Sequence, residues 1–332
     1  MRIAREFPAH TSFGILASEF NRRLGDIQYD MSVQVALPTR KAVNPDKEIF
    51  WVFWETSKLP IYSRKLLKTY RHIWTPSTWL TDVLHEDGIE SRVVHLALDP
   101  NEWTPSRDPH STFRFLWVNE WIHRKGGDLL IEAFLKSFKS NDDVELVVKP
   151  NYTNQDCPVR FPSVEEVIAT CSGGPKEKIR IVDEFLSQER LAELYGSCDC
   201  YVYPFRTQGA SLTLIEAQAC GLPAITTNYA GCLDYVVKDC TYFLDPVGYK
   251  PVTKIDFFAD YGSQDIGVEA VPNSGQLIEL LRYCFEHRDE VASRGLRASE
   301  KVRRSFTWEN LQKEAFSSLN SLPKKNRMHF WK

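Results

Sequence analysis

The chain of 332 residues contains no apolar run near the roughly 20 residues that span a bilayer, and its first residues show no apolar signal core. Neither a membrane span nor a secretory leader is expected. An excess of charge of one sign is also missing. With 41 basic and 44 acidic residues the net charge is −3, which gives no overall drive toward nucleic acid or anionic lipid. The eight cysteines are scattered, without the C-x-x-C or Cys/His spacing of a zinc site, so they are expected to be buried thiols in a reducing compartment, the cytoplasm fitting best. No G-x-G-x-x-G follows an early strand with an acid about 20 residues later, which disfavours a nicotinamide-dependent Rossmann enzyme. Internal repeats and low-complexity segments are absent too. What remains is a composition of 43% hydrophobic and 26% charged residues, that of a soluble globular protein, in a chain long enough for two domains.

The most informative stretch is 199–234. A β-branched and aromatic run, Tyr201–Tyr203, closes at Pro204 and opens into a small-residue loop, Arg206–Ser211. An alanine- and leucine-rich segment, Leu212–Cys220, follows and stops at Gly221, with Pro223 just beyond. A second apolar run, Ala224–Thr227, leads to another small-residue loop, Asn228–Gly231. This is one βαβ unit, with Ser211 as N-cap and Gly221 at the helix stop. Backbone N–H groups at Gly209, Ala210, Ser211, Leu212 and Thr213 would lack intrahelical partners there. Together with the helix dipole they form a site for phosphate. Glu216, one to two turns further, can receive ribose hydroxyls from a ligand whose phosphates sit at the helix start. Gln208 lies within reach of that ligand's far end. The plainer reading is a generic α/β unit whose loop glycines only serve the turn.

The run resembles the signature of retaining glycosyltransferases of the GT-B fold, especially family 4 (group 1 type). That signature reads Glu-Gly-Phe-Gly-Leu, then Glu-Ala, then Gly-x-Pro. Here it stands as Gln208-Gly209-Ala210-Ser211-Leu212, Glu216-Ala217 and Gly221-Leu222-Pro223, with seven residues between Gln208 and Glu216. The first glutamate is replaced by its amide, which can bond sugar hydroxyls but carries no charge. The resemblance covers 113–311 well and the N-terminal third loosely. It implies an α/β architecture of two Rossmann-like domains facing across a cleft, the first unusually short. The first domain would be 1–108 and the donor domain 109–308, with the C-terminal helix of 309–332 crossing back.

The same resemblance assigns roles after the first strand of the second domain, 113–118. Lys125 matches the lysine that binds the donor diphosphate. Glu120 occupies the position of the family's arginine, a charge reversal that the neighbouring Arg124 would offset. Fixed cations and helix-start amides can stabilise a departing nucleoside diphosphate without a metal. Phe185 and Leu186, after the strand at 179–182, are candidate contacts for the nucleotide base, or equally core residues. In the first domain, Phe13-Gly14-Ile15 resembles the family's first loop, ahead of a helix at 15–24. No histidine stands near residues 55–60, where many members place one beside the reacting sugar. Glu55 is the nearest candidate for an acceptor-side group.

Periodicity and turn residues outline the remaining elements. In the first domain, strands are expected at 1–7, 31–37, 49–54, 72–76 and 93–98, followed by a linker at 104–111. In the second, strands at 144–149 and 179–182 alternate with helices, including 163–171 and 188–195, the latter capped by Ser187. The stretch 245–271 reads as an excursion loop, and helices end the chain at 274–288, 290–306 and 309–319. The helix at 62–70 is basic: a solvated face is the plain reading, a weak peripheral contact with a membrane surface the sharper one. The tail 324–332 is basic with interleaved aromatics.

The function expected is transfer of a sugar from a UDP- or GDP-type sugar donor to a hydroxyl acceptor, with retention and with no cofactor or metal required. Two alternatives stand beside it. One is a catalytically silent nucleotide-sugar-binding protein, motivated by Gln208, Glu120 and the missing histidine. The other is a transferase acting on a nucleic-acid acceptor, which the charge balance does not favour.

Overall fold

The computed structural model describes residues 3–4, 32–38, 41–106, 110–152, 161–252 and 264–320. The expected loop and helix at 8–24, residues 107–109 of the linker, 253–263 of the excursion and the tail at 324–332 lie outside the described residues.

The first part of the chain builds β1 (Ile3–Ala4), β2 (Ser32–Ala36), β3 (Glu48–Val52), α1 (Ile61–Leu67), β4 (His72–Thr75), α2 (Thr78–Glu86) and β5 (Arg92–Val93). All of these strands pair parallel, in the order β1-β2-β3-β4-β5. Right-handed crossovers that all step the same way set their helices on one face of a sheet. Alternation along β3 shows the consequence. Phe50, Val52 and Trp54 share a buried cluster with Leu67, Leu80 and Leu84 of the connecting helices. Ile49, Trp51 and Phe53 point the other way, into a cluster that this domain does not complete.

The second part builds β6 (Phe113–Glu120), α3 (Gly127–Ser137), β7 (Val144–Asn151), α4 (Val164–Thr170), β8 (Ile179–Ile181), α5 (Gln188–Gly196), β9 (Cys200–Tyr203), α6 (Leu212–Ala219), β10 (Ala224–Thr227) and β11 (Tyr242–Leu244). Its parallel sheet runs β11-β10-β9-β6-β7-β8, a doubly wound order that reverses direction between β6 and β9. Phe113, Phe115 and Trp117 pack outward on α3 and on α7 (Ser274–Glu286). Leu116 and Val118 face inward, into the same cluster as Ile49 and Trp51.

The chain ends in α8 (Arg288–Ser305) and α9 (Trp308–Asn320). Trp308, Leu311, Ala315 and Leu319 of α9 belong to the inward cluster, and Trp74 Nε1 of β4 donates to Ser318 Oγ at 2.8 Å. The last helix thus packs on the inward face of the first sheet.

Two expectations change. The run at 93–98 forms a ladder only over its first residue. Beyond it the donors are taken elsewhere: His95 N–H by Glu314 Oε2 (2.8 Å), Leu96 N–H by the Tyr235 hydroxyl (3.1 Å) and Leu98 N–H by Phe306 O (2.9 Å). An amide bonded to a side chain or a helix end cannot also serve a sheet. The stretch read as an excursion loop contains an antiparallel hairpin, β12 (Pro246–Pro251) with β13 (Val268–Pro272). Its prolines sit at strand ends and in a two-stranded sheet, where a missing donor is tolerated.

Candidate active site

The strand order of the second sheet fixes where a ligand fits. In an open parallel sheet a crevice forms beyond the carboxyl ends of the two strands where the order reverses. Here these are β6 and β9, so the lining loops are those after Glu120 and after Tyr203.

After β6 the chain makes a 3₁₀ turn, His123–Lys125, and leaves it through Gly126 at φ 70°. That conformation favours glycine, and the space demands it as well: a Cβ on Gly126 would lie 2.0 Å from the Pro204 carbonyl oxygen. The close approach, with Arg206 N–H donating to Arg124 O at 2.8 Å, brings the two loops together. Arg206 also forms a bidentate ion pair with Asp128 at 2.9 and 2.7 Å.

Both cations named from the sequence meet at one atom. Lys125 Nζ donates to Gln208 Oε1 at 2.6 Å, Arg124 Nη1 donates to the same oxygen, and the Tyr203 hydroxyl joins them at 3.0 Å. Gln208 Nε2 in turn donates to Ala210 O. All four side chains are buried. Burial, with the neighbouring Arg124 second, lowers the Lys125 ammonium to about 8, against the opposing pull of Glu55 and Glu120. Glu120, at the arginine position of the resemblance, lies 3.7 Å from Arg124.

The loop beyond Gln208 enters α6 as expected. Ser211 Oγ accepts from Leu214 N–H at 3.3 Å. At the other end Gly221 (φ 89°) closes a Schellman motif, with Leu222 N–H on Ala217 O (3.0 Å) and Gly221 N–H on Gln218 O (3.0 Å). The first helical amides, Leu212 and Thr213, have no carbonyl before them within the helix. The loop after β10 lies directly on this one, because Gly231 N–H donates to Gln208 O at 3.1 Å. A Cβ on Gly231 would fall 1.8 Å from Gly209 O.

The Gly209 amide already has a partner. Glu55, just past β3 in the first domain, accepts it at 2.6 Å and lies 3.6 Å from Arg124 Nη1. Thr207 Oγ1 donates to the Glu55 carbonyl. The first domain therefore reaches into the crevice with a buried carboxylate.

Glu216 lies further along α6. Its Oε2 accepts from the Tyr195 hydroxyl at 3.2 Å, and burial pushes the carboxyl up to about 7, against that hydrogen bond. The Tyr195 ring meets Trp103, in the segment leaving the first domain, edge-on at 5.8 Å. Thr213 Oγ1 accepts from the Tyr201 hydroxyl at 2.8 Å. The structure brings Arg124, Lys125, Gln208, Gly209 and Ala210 together, with Ser211, Leu212 and Thr213 at the adjoining helix start. Phe185 is not among them: it stands 86% exposed. Leu186 is partly buried against the inward core cluster. Tyr195, Tyr201 and Tyr203 were not singled out from the sequence. The alternation of Tyr201 and Tyr203 in a strand ending at the crevice was the available sign.

Residues 112–248, which hold these loops, match a family model described as glycosyl transferases group 1. The two parallel, Rossmann-like sheets form the GT-B architecture. The phosphatidylinositol N-acetylglucosaminyltransferase GPI3 subunit of Saccharomyces cerevisiae is 21% identical over 150 residues, 44% of this chain and 30% of the yeast protein's length. Among solved structures, sucrose-phosphate synthase from Thermosynechococcus elongatus superposes with a TM-score of 0.65 at 14% identity, covering 95% of this chain and 80% of that one. A glycosyltransferase from Rickettsia africae gives 0.65 at 16% identity, over 95% and 83%. HepE from Anabaena, solved with UDP-glucose, gives 0.62 at 13% identity, over 89% and 79%. Among the described residues, no helix is long and apolar enough to cross a membrane, and no group of three or more His, Cys, Asp or Glu could hold a metal ion.

Proposed function

We propose that the protein moves a sugar from a nucleotide-diphosphate sugar to a hydroxyl acceptor, with retention at the anomeric carbon. The observation that carries this reading is the convergence of Lys125 and Arg124 on one neutral oxygen of Gln208, at the crevice where the second sheet reverses. Two buried cations that share one amide oxygen, with Glu55 and Glu120 beside them, suit a more highly charged anion better than they suit each other. The donor diphosphate meets Lys125, Arg124 and the amides from Gly209 to Thr213. Its ribose hydroxyls donate to the Glu216 carboxylate, and its sugar lies against Gln208 and the Gly209–Ser211 backbone. Phe185 and Leu186 are the candidate walls for the base.

In the transfer, the bond from C1 to the phosphate oxygen breaks while the acceptor oxygen bonds C1 on the same face. The acceptor's proton passes to the departing phosphate. Lys125 and Arg124 stabilise the charge that grows on that phosphate. A lipid-linked acceptor fits the yeast relative's name and the exposed Ile61 and Tyr62 at the start of the basic helix α1. Weak peripheral contact with a membrane surface and a cytoplasmic location accompany this reading.

The test is nucleotide release from a panel of UDP- and GDP-sugars with sugar, lipid-linked and polynucleotide acceptors, followed by NMR of the product's anomeric proton. The expected outcome is release from one donor class and a product that keeps the donor's configuration. Tight donor binding without hydrolysis or transfer would replace this reading with a silent binding protein. An inverted product would overturn the front-face route.

A further inference from the structure

We propose that Glu55 is an internal counter-ion of the crevice, engaging the donors that the diphosphate needs, and that the donor diphosphate binds by displacing it. The inference rests on the donor reading above and adds a competitor within the same site.

Glu55 belongs to the first domain, whereas the groups it contacts belong to the second. Its carboxylate accepts the Gly209 amide at 2.6 Å and lies 3.6 Å from the Arg124 guanidinium. An amide just ahead of a helix and a buried guanidinium are donors that a phosphate oxygen would use. No room is left for both anions. A Cβ on Gly209 would sit 2.1 Å from the Trp54 carbonyl oxygen, so the end of the first-domain strand rests directly on the glycine. Thr207 Oγ1 on the Glu55 carbonyl closes the same seam. A diphosphate that reaches Gly209 and Arg124 must therefore move the carboxylate aside, either by turning the side chain or by parting the two sheets.

The charges give the same answer. Arg124 and Lys125 are both buried, and among the described residues the carboxylates facing them include Glu55 and the more exposed Glu120, whose side chain is 30% exposed. With Glu55 and Glu120 both in place the two cations are matched by two carboxylates. Once Glu55 swings out, the cradle gains a unit of positive charge for the incoming diphosphate. Affinity for that diphosphate is thus reduced by the free energy of the Glu55 contact, and the protein resists binding unless the ligand brings enough charge to replace it.

The experiment is calorimetric titration of the full chain and of Glu55→Gln and Glu55→Ala with UDP, GDP, uridine and guanosine. Glutamine keeps the shape and can still accept the Gly209 amide, so it decides the matter even where the alanine variant does not fold. Removing the competing charge is expected to tighten the preferred nucleoside diphosphate about tenfold in Glu55→Gln, with the nucleosides unaffected. Equal affinity in wild type and Glu55→Gln, or weaker affinity in the variant, would overturn the inference while leaving the donor reading intact. Failure of both diphosphates to bind either protein would overturn the donor reading and this inference with it.

Discussion

The two sheets are built of the same material and arranged to different ends. Both are parallel, and both bury β-branched and aromatic strands on two faces. The second reverses its winding between β6 and β9, and the reversal opens the crevice where Lys125, Arg124 and Gln208 meet. Among the described residues the first steps in one direction, so its strand order makes no such crevice, and α9 packs on its inward face. Strand order alone thus separates a sheet with a crevice from one that serves as a wall. The wall contributes Glu55, from the end of its central strand, to the crevice of the other sheet.

That contrast breaks most sharply if chemistry follows the wrong sheet. Lys125→Ala removes a fixed cation from the crevice and is expected to lower kcat/KM for the donor by about 10²–10³-fold, by analogy with losing one preorganised donor at a charged transition state. Steady-state kinetics decide it, and a loss below threefold would detach the second sheet from the reaction. In the intact protein kcat/KM is also expected to decline above pH 8, because burial holds Lys125 at about 8 and the charged form is lost as pH rises through that value.

A change in the wall should act on stability instead. Leu311, 2% exposed in the cluster where α9 covers the first sheet, is expected to cost about 2–5 kcal/mol on truncation to alanine. Urea unfolding measures this, and donor KM in the surviving folded protein should stay within about twofold. Gly126→Ala tests the join between the loops. A left-handed φ and a Cβ 2.0 Å from Pro204 O predict a destabilisation of about 1–3 kcal/mol, with reduced donor affinity as Lys125 shifts.

The smallest effect concerns the seam between the wall and the second sheet's loops. His95 Nδ1 lies 2.9 Å from Glu314 of α9, and its Nε2 lies 3.5 Å from Asp234, which also accepts from the Thr78 backbone and hydroxyl. Burial alone would lower the imidazole. The hydrogen bonds to Asp234 and Glu314 outweigh it and raise the group to about 9. A histidine raised on folding contributes stability that is full below its ordinary 6.5 and lost as pH rises through 9. Unfolding midpoints should therefore fall between pH 7 and about 9.5, and His95→Gln should flatten that slope.

Much of the second sheet and its helices was legible in the sequence because their signals are local. The Ser211 cap, the Gly221 stop and the run closed by Pro204 each act within a few residues, and together they place the helix start that faces Gln208. The first domain was less legible. Its strands are buried on both faces, so Ile49 to Trp54 is apolar throughout and the pattern cannot tell which face awaits α9. The run at 93–98 has the composition of a strand, but its amides are claimed by Glu314, Tyr235 and Phe306, all distant in sequence. Glu55 was singled out for its place at a strand end. Nothing nearby in the chain signals that its partner is Gly209, which is brought to it only when the two sheets meet.

The most direct measurement is the thermal shift produced by UDP and GDP, as free nucleotides and as sugars, in wild type, Lys125→Ala and Glu216→Ala. The account predicts that one nucleotide class raises the melting temperature of wild type and that both variants lose the shift. Equal stabilisation of all three proteins would contradict it.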